Sequence, residues 1–197
     1  MGKKKQAKGQ AKKRHNEQKE VIPFNERLSA LTVCYWNTSI GYLGVERGAN
    51  IRTAGQLGVA YWKPTILTKG WDSKACITVW LEGDVPAVLR ERASGASAPT
   101  HVTDEMVLEE SLEPTRRKLE AAQDQVPDDL LPFRVWAVDG MNRSLALQDI
   151  WRESQQRSPE VTLRVLHLEA SQHYRVAIAT TLNDVSKVFP SVRVTVY

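Results

Sequence analysis

The chain has 197 residues, is 42% hydrophobic and 25% charged, and carries a net charge of +4, the profile of one ordinary globular core plus a tail. No run of about 18 apolar residues occurs and no apolar segment follows the basic start, so neither a membrane span nor a secretory signal is expected. The only cysteines, Cys34 and Cys76, each sit in an apolar run, which predicts two buried thiols in an intracellular compartment, cytoplasmic or nuclear, and no disulfide framework.

Charge is divided unevenly along the chain. Residues 1–20 hold eight Lys or Arg against Glu17 and Glu20, a surplus of six, whereas residues 21–197 hold 19 basic and 21 acidic groups. Basicity therefore belongs to the tail, and the folded part has no excess that argues for a nucleic-acid groove. Residues 1–20 have nothing larger than Ala to bury after Met1 and are expected to be disordered. Such a run reads as a localisation signal, as a loose contact for polyanions including nucleic acid, or as a solubilising tail. N-myristoylation needs Ser or Thr where this chain has Gln6.

From Val21 the composition becomes globular, and residues 21–197 are read as one domain. Leu31 to Trp36 predicts a short strand ended by Asn37-Thr38-Ser39, followed by a glycine-bearing loop. Asn50-Ile51-Arg52 precedes a short helix expected to stop near Trp62, because Pro64 disfavours helix at Lys63. Lys69-Gly70-Trp71-Asp72 predicts a turn, and Ala75 to Leu81 a strand with Ile77, Val79 and Leu81 alternating against Thr78 and Trp80, closed by Gly83-Asp84.

Residues 83–130 begin rich in Gly, Ser, Ala and Pro and continue as a charged helical pattern interrupted by Pro114. They are expected to form a partly helical surface insertion whose helix packs against its own domain, covers a sheet edge or docks a partner, with Met106, Leu108, Leu112 and Leu119 supplying its apolar contacts. Ser158-Pro159-Glu160 predicts a turn, residues 161–168 a strand with Val161, Leu163 and Val165 on one face, residues 170–189 a helix broken around Asn183, and VRVTVY a last strand. The four histidines have no metal-ligand spacing with the cysteines, and no Ser-His-Asp set stands out. Trp36, Trp80, Trp136 and Trp151 fall in predicted elements and are read as core.

The most informative stretch is Phe133 to Trp151. Phe133, Val135, Trp136 and Val138 form an extended apolar run that stops at Asp139-Gly140, and Met141, Leu145, Leu147, Ile150 and Trp151 then recur at helical spacing. This predicts strand, tight turn and helix, with the N–H groups of Gly140 to Arg143 at a positive helix end beside the Arg143 guanidinium. A corner of this kind binds anions, phosphate most often. Turn chemistry alone, with Asp139 as the N-cap, is the competing reading.

VDGMNRSLAL, residues 138–147, resembles the phosphate-binding box of the ParB/sulfiredoxin superfamily, in which a strand ends in Gly, two variable residues and Arg. Asn50-Ile51-Arg52 and the Gly70-Trp71 turn feeding a strand fit the same order. The resemblance implies an α+β fold, a small mixed sheet with flanking helices, that binds a nucleoside triphosphate, CTP or ATP, with Mg²⁺. Gly140 and its neighbours would take phosphate oxygens, Arg143 would pair bidentately, Asn142 would donate a further hydrogen bond, and Asp139 would cap the helix or orient Mg²⁺ through water. Asn50 and Arg52 would approach from the first helix and Asn183 from the later one.

Four departures bound what is carried over. Sulfiredoxin has Cys-His where this chain has Met141-Asn142, and a thioether cannot perform that thiol chemistry, so sulfiredoxin activity is disfavoured. The Arg expected after Asn183 is missing, with Lys187 an approximate substitute. Residues 83–130 have no counterpart, and the chain ends too soon after Asn183 for the helix-turn-helix of ParB proteins. Triphosphatase or kinase activity is the enzymatic expectation, with Glu46, Asp72 and Asp139 as unranked carboxylates. A non-catalytic nucleic-acid-associated module and an inactive scaffold are the alternatives.

Overall fold

A computed structural model describes residues 24–43, 56–72, 75–121, 131–154 and 157–167 of the chain. The basic tail, Asn50, Arg52, the segment carrying Asn183 and the closing VRVTVY lie outside these residues. In order, the elements are α1 (Phe24–Leu31), β1 (Thr32–Ser39), a 3-10 turn (Ile40–Tyr42), α2 (Gln56–Lys69), β2 (Ile77–Gly83), α3 (Ala87–Arg90), β3 (Thr100–Thr103), α4 (Asp104–Glu110), α5 (Glu113–Ala121), β4 (Phe133–Asp139), α6 (Met141–Ser154) and β5 (Glu160–Leu166).

The strands form one five-stranded sheet in the order β3-β1-β5-β2-β4. It is mixed: β1–β3 and β2–β5 run parallel, β1–β5 and β2–β4 antiparallel. The expected α+β class, with a mixed sheet and flanking helices, is therefore what the chain adopts. Strand β5 is central, and its Val161, Leu163 and Val165 all point into the main core, as their alternation predicts.

Both faces of the inner sheet are covered. Trp36, Ile77, Val79, Leu81, Leu163 and Ala146 belong to the main cluster, while Trp80 and Leu166 alternate to the other face and meet Leu28 of α1 and Val138. Double coverage explains why the first five residues of β2 are all buried although the sequence alternates with Thr78 and Trp80. Trp36 and Trp80 are core residues, whereas Trp136 and Trp151 are only partly buried, packed against the two clusters. Cys34 is buried and Cys76 half-buried, both as free thiols.

Several boundaries differ from those predicted, among them that of β5, which runs Glu160–Leu166 instead of 161–168. Strand β1 continues through Asn37-Thr38-Ser39, because β5 pairs with it as far as Ser39. Strand β2 starts at Ile77 instead of Ala75. Helix α2 passes through Pro64 and ends at Lys69, with Gly70 N–H closing it onto the Ile66 carbonyl at 2.8 Å. Pro64 removes one helical hydrogen bond, while the Thr65 and Thr68 hydroxyls donate to the carbonyls of Tyr61 and Pro64 at 2.9 and 2.8 Å. Pro114 sits in the first turn of α5, behind Glu113, instead of interrupting a helix, since a proline is tolerated there.

The segment read as a surface insertion is built into the domain. Its β3 is the sheet's edge, and Leu89, Val102 and Val107 are at most 2% exposed. Met106 and Leu112, expected to make its contacts, are exposed instead. Arg92 donates to the Ser29 carbonyl at 2.6 Å and, through Nε, to the Thr32 carbonyl at 2.8 Å, placing a cation at the C-terminal end of α1 where carbonyls lack helical partners.

Candidate functional site

The strand-turn-helix corner forms as the sequence predicts: β4 ends at Asp139, Gly140 turns with φ +87°, and α6 begins at Met141. Gly140 is required twice. Its φ lies in the left-handed region, and a Cβ there would stand 3.1 Å from Arg143 Nη2 and 3.5 Å from the Ile77 side chain. The buried Ser144 closes the first turn, its N–H and its hydroxyl both donating to the Gly140 carbonyl at 2.9 Å.

Arg143 folds back over this turn. Its guanidinium lies 5.7 Å from the centre of the Trp62 ring, and its Nη2 lies 3.5 Å from Asp139 Oδ2, with side-chain exposures of 22% for Arg143 and 30% for Asp139. The cation is thus held between an aromatic face and a carboxylate at the limit of hydrogen-bond distance. It remains open enough to meet a second anion.

Helix α2 supplies the other wall. Gly58 packs against Asn142, Trp62 against Arg143, and Lys63 pairs with Glu153 at 2.5 Å. These pairings advance in the same direction along both helices, so the N-terminal turns of α2 and α6 meet at the corner. Each helix has 14 residues, and neither carries an acidic residue in its first turn. Two positive helix ends therefore lie side by side, with no carboxylate of their own first turns to neutralise them.

Asn142 is turned toward α2. A Cβ at residue 58 would lie 2.5 Å from its Nδ2, so the amide fills the space that Gly58 leaves. Its Oδ1 is buried without a hydrogen-bond partner among the described residues. A buried polar atom in that state costs free energy, on the order of 1–3 kcal/mol.

Of the residues singled out in the sequence, Asp139, Gly140, Asn142 and Arg143 come together here. Asn50, Arg52 and Asn183 lie outside the described residues, as does Glu46. Asp72 is exposed, in the link between α2 and β2. Sequence reasoning missed Gly58 and Trp62. Both fall within the helix expected to stop near Trp62, four residues apart on one face. What no local signal gave is that this face packs on the first turn of α6, much further along the chain.

Comparison with known proteins adds no identification: no family model matches the chain, and neither a curated protein nor a solved structure does. Among the described residues no group of three or more His, Cys, Asp or Glu side chains is arranged to hold a metal ion. No described helix is long and apolar enough to cross a membrane.

A buried thiol and a half-buried carboxyl lie away from the corner. Burial pushes the Cys34 thiol up to about 12, which leaves it a packing residue with no thiolate at neutral pH. Asp104, at the start of α4, accepts a hydrogen bond from Trp36 Nε1 at 2.8 Å. Burial raises its pKa, and the hydrogen bond from Trp36 opposes that shift.

Proposed function

We propose that the β4–α6 corner binds the phosphates of a nucleoside triphosphate, CTP or ATP, with Mg²⁺. The observation that carries this reading is the Arg143 guanidinium in the first turn of α6, set between the Trp62 ring of α2 and Asp139 and only at the limit of hydrogen-bond distance from that carboxylate. The resemblance of residues 138–147 to the ParB/sulfiredoxin box supports the same ligand class.

The residues present fit such a group. Backbone N–H groups of the first turn of α6 would take phosphate oxygens, and Arg143 would exchange its 3.5 Å contact with Asp139 for a bidentate pair with phosphate. Turning over the Asn142 amide would put its NH₂ where the unpartnered Oδ1 now sits, giving that buried position a donor for an anion. Mg²⁺ commonly binds through one or two carboxylates plus substrate phosphates, a role open to Asp139 without a protein cage. A hydrolytic or phosphotransfer step at this corner would use Asp139 as its carboxylate.

Thermal denaturation of the full chain with CTP, ATP and GTP plus Mg²⁺ tests the reading. A ligand at a hundred times its dissociation constant stabilises by about 2.7 kcal/mol, and Arg143→Ala should abolish that stabilisation. No shift with any nucleotide would overturn it.

The tail favours a second reading, a nucleic-acid-associated module without catalysis, because residues 1–20 concentrate a surplus of six positive charges. Deleting them separates the two. Nucleotide binding should survive the deletion, whereas a nucleic-acid module would lose most of its salt-dependent affinity for polyanions.

A further inference from the structure

Beside the corner stands an aromatic ring that the packing does not use. Tyr61 is 59% exposed and is the only aromatic residue among the large apolar side chains that the described part of the chain leaves exposed. It precedes Trp62 on α2, and the two rings meet at 84° with centres 5.4 Å apart. A perpendicular pair of this kind leaves at least one face of Tyr61 uncovered by Trp62. The Trp62 ring, 5.7 Å from the Arg143 guanidinium, is the link between Tyr61 and the corner.

We infer that Tyr61 is the stacking platform for the base of the ligand whose phosphates occupy the corner. The inference rests on the nucleotide reading and deepens it: it assigns the side chain that takes the base, which an inorganic polyphosphate or a protein-borne phosphate would not use. The Tyr61 ring is no further from the guanidinium than the two distances just given laid end to end. A sugar carrying its phosphate chain spans such a gap.

The chemistry is specific to a planar base. Every nucleobase has a π face, and stacking on a tyrosine ring contributes without reading the base edge. Helix α2 carries the ring, and the edge-on contact with Trp62, centres 5.4 Å apart, sets where it stands. Trp62 would position Arg143 for the phosphates while Tyr61 takes the base.

The test is calorimetric titration of the full chain with CTP, ATP and inorganic tripolyphosphate, each with Mg²⁺, for the wild type, Tyr61→Ala, Tyr61→Phe and Arg143→Ala. Tyr61→Ala should weaken nucleotide binding about tenfold, equal to about 1.4 kcal/mol, and leave tripolyphosphate binding unchanged. Tyr61→Phe should keep both, and Arg143→Ala should lose both. Unchanged nucleotide affinity in Tyr61→Ala would overturn the platform while leaving the phosphate site standing. If that variant also converts an oligomer to monomers, Tyr61 is a contact between copies instead. No binding of any ligand by the wild type would remove the phosphate reading and the platform together.

Discussion

Gly58 and Asn142 share one space where α2 meets α6. A Cβ at residue 58 would lie 2.5 Å from the Asn142 amide nitrogen and 2.6 Å from its carbon, so the two helix ends approach only because residue 58 has no side chain. Within a helix, Gly→Ala ordinarily stabilises by about 0.5–1 kcal/mol. Here the added methyl must displace the end of the half-buried Asn142 side chain, so Gly58→Ala should lose that gain and come out neutral or destabilising by up to about 1 kcal/mol. Adding Asn142→Ala should restore the ordinary sign, a coupling that a double-mutant cycle in urea denaturation measures directly.

Gly140 carries the second constraint. Its φ of +87° strains any residue with a Cβ, and Arg143 and Ile77 crowd the position. Gly140→Ala should cost about 1–2 kcal/mol in stability and also displace the Arg143 guanidinium, so that nucleotide affinity falls together with melting temperature. Gly95, with φ +85° and open space around it, is the control: alanine there should cost stability alone.

Asp104 predicts a pH dependence. Its pKa in the folded chain is raised above the ordinary 3.8, first by burial, so the folded state keeps a proton that the unfolded chain has released. The contribution to stability is therefore complete below the ordinary value and is lost as pH rises through the raised one. Asp104→Asn retains an acceptor for Trp36 Nε1 and removes the titration. The difference in urea midpoint between wild type and variant should shift in favour of the variant as pH increases across the carboxylate range.

Arg92 ties the 83–130 segment to the end of α1 through the carbonyls of Ser29, Ala30 and Thr32. Arg92→Met should destabilise by about 1–3 kcal/mol, with amide exchange rising first in α1. Arg92→Lys should recover little, because a single ammonium cannot reproduce the planar fork.

These effects divide along the line between what was legible in the sequence and what was not. The β4-Gly140-α6 corner was legible because its signals are local: an apolar strand, Asp139-Gly140, then helical spacing within a few residues. Strand β5 was legible for the same reason, from the alternation of Val161, Leu163 and Val165.

Helix α2 was truncated in the reading because a proline inside a helix costs about 3 kcal/mol, a local penalty that looks decisive. Burying a large apolar side chain contributes about 1.5–3 kcal/mol, and Ile66, beyond the proline, is buried in the main cluster, with Val59 and Trp62 packed against it. Tertiary packing thus outweighs the local term. Strand β3 was illegible because Thr100–Thr103 carries one buried apolar residue, Val102, and its pairing with β1 is set by a partner far away in the chain. Of the candidate site, the glycine, the arginine and the carboxylate were visible, whereas the Gly58–Trp62 wall depends on long-range packing of α2 against α6, which no local pattern carries.

The most direct test of the central claim is backbone amide NMR of the full chain during titration with CTP and ATP plus Mg²⁺. A phosphate group at the meeting of the two helix ends predicts the largest saturable shifts at Gly140, Asn142, Arg143 and Gly58, with Arg143→Ala removing them. Shifts confined to the Lys-rich residues 1–20, with the corner silent, would contradict it.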